Sequence, residues 1–274
     1  MRIPFTKAHG VGNDFLLTWS KDVSMEDLPG AARSICDRHA GIGADGWILI
    51  TPTPEDTSAV DGAIRLFNSD GSEAELSGNG TRCAAAVLVD AGLAGENVRI
   101  RTGAGVKHLV LIERDGLWFR FEMNMGRAAV SPEHLRFALP LRDGPREVTV
   151  LDVGNPQCAV FVGDLGLDWP ALGAEIEGHP YFPHRTNVSF IRVMDEHTLE
   201  VRFFERGAGV TQSSGTGSTG AMAAAILRGL VSSPVRVMTP AGPLDLRMEG
   251  DLFLAGPAEI VASGDFHWRR EAVS

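Results

Sequence analysis

Two short runs carry the residues best suited to chemistry. Ser77-Gly-Asn-Gly-Thr81 and Ser214-Gly-Thr-Gly-Ser218 each place a hydroxyl and a flexible turn directly before an alanine-rich stretch that reads as a helix. A glycine-rich turn that opens a helix leaves several backbone N–H groups without partners, and the helix dipole adds to their pull on an anion. The ligand that suits such a turn is small and negative: a carboxylate, or a carbanion resonating into one. The plainer alternative is that the serines only cap their helices and the glycines only permit close packing. Two copies at matched positions favour the ligand reading.

The residues leading into the two runs differ. Asn68 precedes the first where Glu205 precedes the second, and Ser69 corresponds to Arg206. In Phe204-Glu-Arg-Gly207 an adjacent acid and base could hold an ammonium and a carboxylate; the alternative is a surface ion pair, which stabilises little. Asn13, Asn155 and Asn187 stand beside turn residues, where asparagine either closes an Asx turn or presents a neutral amide to a zwitterion. Gly41-Ile-Gly-Ala-Asp-Gly46 matches the dinucleotide pattern formally. Trp47 to Ile50 reads as a strand, however, whereas a nucleotide site needs a helix after the glycines. The eight histidines show no ligand spacing, and Cys36, Cys83 and Cys158 are too few and too scattered for a zinc or disulfide framework. No metal and no cofactor is expected.

These runs are positioned by a repeat. The two serines are 214 − 77 = 137 residues apart, half of the 274-residue chain. The same offset carries Phe67 onto Phe204, Gly92 onto Gly229, and Val98 to Gly105 onto Val235 to Gly242. Several matches at one offset indicate a duplicated domain. Within the first half, 46–50, 63–67, 98–101, 107–113 and 117–123 read as strands; 77–91 and 214–228 read as helices that stop before a glycine suited to the left-handed position. Met25 to His39 reads as a third helix, with Trp169 to Glu177 as its counterpart. The expected fold is α/β (α+β): two pseudo-symmetric halves, 1–140 and 141–274, each a mostly antiparallel sheet around a central helix. The boundary is placed in the turn-rich stretch at Leu141 to Pro145, and the final strand of the second half is a candidate for exchange into the first. Two helix starts related by an approximate twofold would address one site between the halves.

Composition narrows the class. At 44% hydrophobic and 22% charged the chain reads as an ordinary globular protein. A net charge of −10 argues against a nucleic-acid partner, and no apolar run is long enough to span a bilayer. The N-terminal segment lacks a signal-peptide apolar region, so a reducing cytoplasm is the expected location.

Taken together, His9-Gly-Val-Gly-Asn-Asp-Phe15, His39 to Gly46, Phe67 to Glu75, Gly78-Asn-Gly-Thr-Arg-Cys83, Gly154-Asn-Pro156, Arg185-Thr-Asn187, Phe204-Glu-Arg-Gly207 and Gly215-Thr-Gly217 resemble the diaminopimelate epimerase family along nearly the whole chain. The resemblance implies a cofactor-independent enzyme of lysine and peptidoglycan synthesis, usually a cytoplasmic homodimer, that interconverts LL- and meso-diaminopimelate. In that family two cysteines on opposite faces of the α-carbon move the proton. Their positions correspond to Ser77 and Ser214 here, and Gln157 stands where the family tends to have a helper histidine. Glu205 matches the remaining acid helper. By the same resemblance Asn68, Asn155, Asn187 and Arg206 would hold the distal end of the substrate. Asn13, Gly78, Asn79, Glu205, Gly215 and Thr216 would hold the reacting end. Serine is a far weaker acid than cysteine and needs an adjacent base. Two alternatives follow: an isomerase for another small acid with Glu205 or Glu73 as base, as in phenazine-biosynthesis-type isomerases, or a non-catalytic amino-acid binder.

Overall fold

A computed structural model describes residues 1–24, 26–53 and 59–269. The chain divides into two compact units, one from Met1 to Met123 together with the stretch from Gly256 onward, the other from Asn124 to Ala255. The junction therefore falls at Met123/Asn124. The turn at 141–145, read from the sequence as the boundary, is a hairpin inside the second unit that pairs Leu141 with Gly144. Turn residues mark a reversal of the chain, and a reversal need not separate domains.

The first unit contains β1 (Arg2–Gly10), β2 (Asn13–Trp19), α1 (Leu28–Cys36), β3 (Gly46–Pro52), β4 (Gly62–Asn68), β5 (Glu73–Ala74), α2 (Gly78–Asp90), β6 (Asn97–Thr102), β7 (Gly105–Asp115) and most of β8 (Trp118–Gly126). The second contains β9 (Phe137–Leu141), β10 (Gly144–Asp152), β11 (Pro156–Phe161), α3 (Trp169–Glu177), β12 (Asn187–Asp195), β13 (Thr198–Glu205), β14 (Gly209–Thr211), α4 (Gly215–Leu227), β15 (Val235–Thr239) and β16 (Gly242–Glu249). The last strand, β17 (Asp251–His267), starts in the second unit and ends in the first.

In the first unit β1 runs antiparallel to β2, β2 parallel to β3, β3 antiparallel to β4, and β4 parallel to β6. Antiparallel β7 and β8 follow; β8 pairs with β17, and β17 returns antiparallel to β1, pairing Thr6 with Ser263. The sheet thus closes on itself around α2. Every residue from Gly78 to Leu88 is buried, and only Val89 and Asp90 at the far end are not, so this helix has no solvent face. Its small side chains, Ala84 to Ala86 among them, let it pass through the closed sheet. In the second unit β11 runs parallel to β12 and β13 parallel to β15, while the other neighbours are antiparallel, and α4 takes the central place. Each parallel step needs a crossover, and the helices supply it: α1 and α2 in one unit, α3 and α4 in the other.

The cores follow the same plan. Trp47, Phe67, Leu16 and Ile3 meet Ile35 of α1 in the first unit; Phe190, Val160 and Cys158 meet Ile176 of α3 in the second. The Trp47 indole donates to Thr18 Oγ1 at 3.0 Å, which satisfies its one polar atom. Both central helices end alike. Gly92 and Gly229 each adopt φ +70°, and their amides and those of Leu93 and Leu230 turn back onto the last free carbonyls in a Schellman arrangement.

Candidate active site

Each central helix opens on the serine singled out in the sequence. Ser77 (φ −132°, ψ 123°) precedes α2, and its Oγ accepts a hydrogen bond from the Gly80 amide at 3.1 Å. Ser214 (φ −140°, ψ 120°) precedes α4, and its Oγ accepts from the Gly217 amide at 3.0 Å. Both are N-caps in the ordinary sense. The amides of Gly78, Asn79, Gly215 and Thr216 lie in the first turns, where helix geometry offers them no acceptor. Neither first turn carries an acidic residue. Both starts therefore present a positive end that no side chain of their own helix neutralises.

Around α2, side-chain amides form an ordered relay. Asn79, 3% exposed, donates through Nδ2 to Asn13 Oδ1 at 3.1 Å, and Asn13 donates in turn to Asp45 Oδ2 at 2.7 Å. Asp45 belongs to the glycine run that resembled a dinucleotide motif; that run leads into strand β3, and its acid serves this relay. Arg38 bridges Asp45 and Asp14, each at 2.8 Å, and Lys7 meets Asp14 at 3.0 Å. Burial pushes the Asp14 carboxyl up, but the bonds from Arg38 and Lys7 outweigh it and hold the group below the usual carboxylate range. A depressed folded-state value contributes stability above the unfolded pKa of about 4, and that contribution is lost as pH falls through the folded value. Acid denaturation followed by circular dichroism should show stability dropping below about pH 4, and Asp14→Asn should flatten that drop. An unchanged acid limb in the variant would remove Asp14 from the account.

Asn68 lies apart from this relay. It is exposed at the end of β4, and its Nδ2 donates to Ser72 Oγ at 2.9 Å, closing the turn that follows. Glu73, considered as a base, forms a two-pronged pair with Arg65 at 2.9 Å, which holds its carboxyl below the usual range. A carboxylate so paired is a poor proton acceptor.

Around α4 the Ser214 hydroxyl donates to Glu205 Oε1 at 2.6 Å. Ser214 is 4% exposed, so this bond is sheltered from bulk water. Asn155 donates to Thr216 Oγ1 at 3.3 Å and accepts from Gln157 Nε2 at 2.7 Å. Gln157 thus orients Asn155, a task an amide performs without carrying a proton. Asn187 Oδ1 receives the Arg206 amide at 3.0 Å, while its Nδ2 donates to Pro156 O at 3.0 Å. The Arg206 guanidinium is exposed and reaches His184 O at 3.4 Å, so Glu205 and Arg206 take different partners. Glu177 escaped the sequence reading. Its buried Oε1 takes both the Gly207 amide at 3.1 Å and Arg185 Nη1 at 3.0 Å, tying together the loops that carry Asn187 and Glu205. Arg82 and Asp45 escaped too, because nothing local distinguishes a long-range partner from a solvated charge.

The three cysteines are free and buried in the cores. Burial pushes the thiols of Cys36 and Cys83 up to about 12, and that of Cys158 also upward. None is a thiolate near neutrality. Among the described residues no cluster of His, Cys, Asp and Glu is arranged to hold a metal ion, and no helix is long and apolar enough to cross a membrane.

Similarity to known proteins gives the family of the chain. The family model described as diaminopimelate epimerase matches residues 5–130 and 149–261. The diaminopimelate epimerase of Pelotomaculum thermopropionicum is 39% identical over 285 residues, covering 97% of this chain and 99% of its own. That of Moorella thermoacetica is 39% identical, with 96% and 98% covered. Among solved structures, a hydroxyproline epimerase from Agrobacterium vitis superposes with a TM-score of 0.70 at 17% identity, over 96% of this chain and 92% of that one, a likeness of fold. These matches make the chain an epimerase-like isomerase that belongs to the diaminopimelate epimerase family.

Proposed function

We propose that the chain binds diaminopimelate and exchanges its α-proton slowly, with Ser77 and Ser214 in the two proton-transfer seats and Glu205 as the base behind Ser214. The substrate is inferred from the printed names of the relatives. One observation carries the chemistry: the Ser214 hydroxyl is held between the Gly217 amide and Glu205 Oε1. A carboxylate at 2.6 Å is the adjacent base that a hydroxyl needs to act at neutral pH. Ser77 has a capping amide but no such base among its bonded partners. One seat is therefore better equipped than the other, and both are less acidic than a thiol by many orders of magnitude. The unengaged amides at each helix start supply donors for carboxylates, Asn13, Asn79, Asn155, Asn187 and Arg206 supply further polar contacts, and Asn68 belongs to the same set through the family likeness. A cytoplasmic homodimer is part of this proposal.

Calorimetry with LL- and meso-diaminopimelate tests binding, and deuterium uptake at the α-carbon in heavy water tests chemistry. The expected result is saturable heat from both isomers with very slow uptake. A folded protein that gives no heat with either isomer ends the substrate assignment. The Ser214–Glu205 bond also favours a second reading, an isomerase for a small acid whose C–H is more acidic than that of an amino acid, with Glu205 as base. Heat and turnover with such an acid, and none with diaminopimelate, would select it.

A further inference from the structure

Arg82 is fully buried on α2, and none of its partners is a carboxylate. Its Nε donates to Pro257 O at 3.2 Å and its Nη2 to Asn79 Oδ1, while Nη1 has no partner among the described residues. This placement is unfavourable in three ways. The cation has lost its water, and burial lowers its pKa to about 10. One nitrogen is unsatisfied. The charge also stands in the second turn of a helix whose start is already positive. The fold nevertheless makes room for it: a Cβ on Gly10 would lie 3.3 Å from Arg82 Nη2 and 3.2 Å from Pro257 O.

What the guanidinium accomplishes is directional. Because Asn79 Oδ1 accepts from Arg82, Asn79 Nδ2 must face Asn13 Oδ1, and Asn13 Nδ2 must face Asp45. The relay runs from a buried cation to a carboxylate and admits one orientation of each amide. Each amide nitrogen keeps one N–H beyond the relay. We propose that Arg82 is a positioning residue: it locks Asn79 and, through it, Asn13 with their spare N–H groups available to a ligand carboxylate at the start of α2. This rests on the reading of that helix start as part of a carboxylate-binding site.

Arg82→Met and Arg82→Lys test it. An apolar side chain of similar length removes the desolvation cost of the lone buried cation, and that gain offsets the donor lost to Pro257 O and Asn79 Oδ1. Arg82→Met should therefore fold with a Tm close to that of the wild type, yet bind diaminopimelate at least tenfold more weakly. Arg82→Lys, which keeps a charged donor for Asn79, should recover part of that loss. In 15N spectra without ligand, the side-chain amide pairs of Asn13 and Asn79 should move in the Met variant and return part-way in the Lys variant. Unmoved amide signals, wild-type affinity in the Met variant, or a Met variant that cannot fold would each overturn the proposal. Absence of binding by the wild type would instead strike the substrate assignment, and the amide spectra would still decide the role of Arg82.

Discussion

Restoring thiols at both seats, Ser77→Cys together with Ser214→Cys, should raise α-proton exchange on diaminopimelate by several orders of magnitude. A cysteine titrates near about 8.5, and a helix start lowers it further, so a thiolate is populated at neutral pH where an alkoxide is not. A positioned acid or base contributes about 10²–10⁴ in rate, and two are being supplied. The single variants separate the seats. In the two-seat mechanism of the family, one carrier removes the proton and the other delivers one, so a single thiolate should wash deuterium in without inverting the centre. The double variant should do both. Cysteine is a poorer cap than serine, so each change should also lower stability by about 1 kcal/mol. Mass spectrometry for uptake and chiral chromatography for inversion give the two readouts. A folded double variant that binds diaminopimelate and exchanges nothing would remove Ser77 and Ser214 from the reaction.

The second large effect concerns Gly217. A Cβ there would lie 2.7 Å from the Phe203 ring and 2.9 Å from Ser214 Oγ. Phe203 is 1% exposed and has nowhere to go. Gly217→Ala should thus cost about 1–3 kcal/mol through overpacking, and displace the hydroxyl that bonds Glu205. The corresponding residue of the other half is Gly80, since 217 − 137 = 80. There the nearest atom is Ile48 Cδ1 at 3.0 Å, the tip of a side chain that can yield, so Gly80→Ala should be milder. Gly95, with nothing near its missing Cβ, is the control and should shift stability by less than about 0.5 kcal/mol. Chemical denaturation of the three variants should rank them 217, 80, 95. Equal losses at 217 and 95 would mean that Phe203 gives way.

The repeat made much of this legible in advance. One offset located both central helices, their serine caps and their closing glycines, and each proved to sit where that spacing implied. Strands such as 98–101 and 63–67 were visible because they alternate or run apolar between turns. What stayed hidden depends on pairings between distant parts of the chain. Nothing in the sequence near Arg82 says that Pro257 will accept from it, nor near Glu177 that it will hold Gly207. The turn after β4 is another case: nothing in its residues announces that the Asn68 amide will close it through Ser72. The strands β1 and β2 were likewise unannounced, because their burial comes from partners far along the chain, β17 among them.

The route of β17 has a consequence for biosynthesis. The second unit is one uninterrupted segment, Asn124 to Ala255, whereas the first needs strand residues that emerge only after it. On the ribosome the inner segment can therefore complete its sheet while β1 and β8 still display unpaired edges. Until residues beyond Gly256 leave the exit tunnel, those edges are open to mispairing with neighbouring nascent chains. Premature termination anywhere before that point leaves the first unit's barrel without its closing stave, however well the second unit has folded.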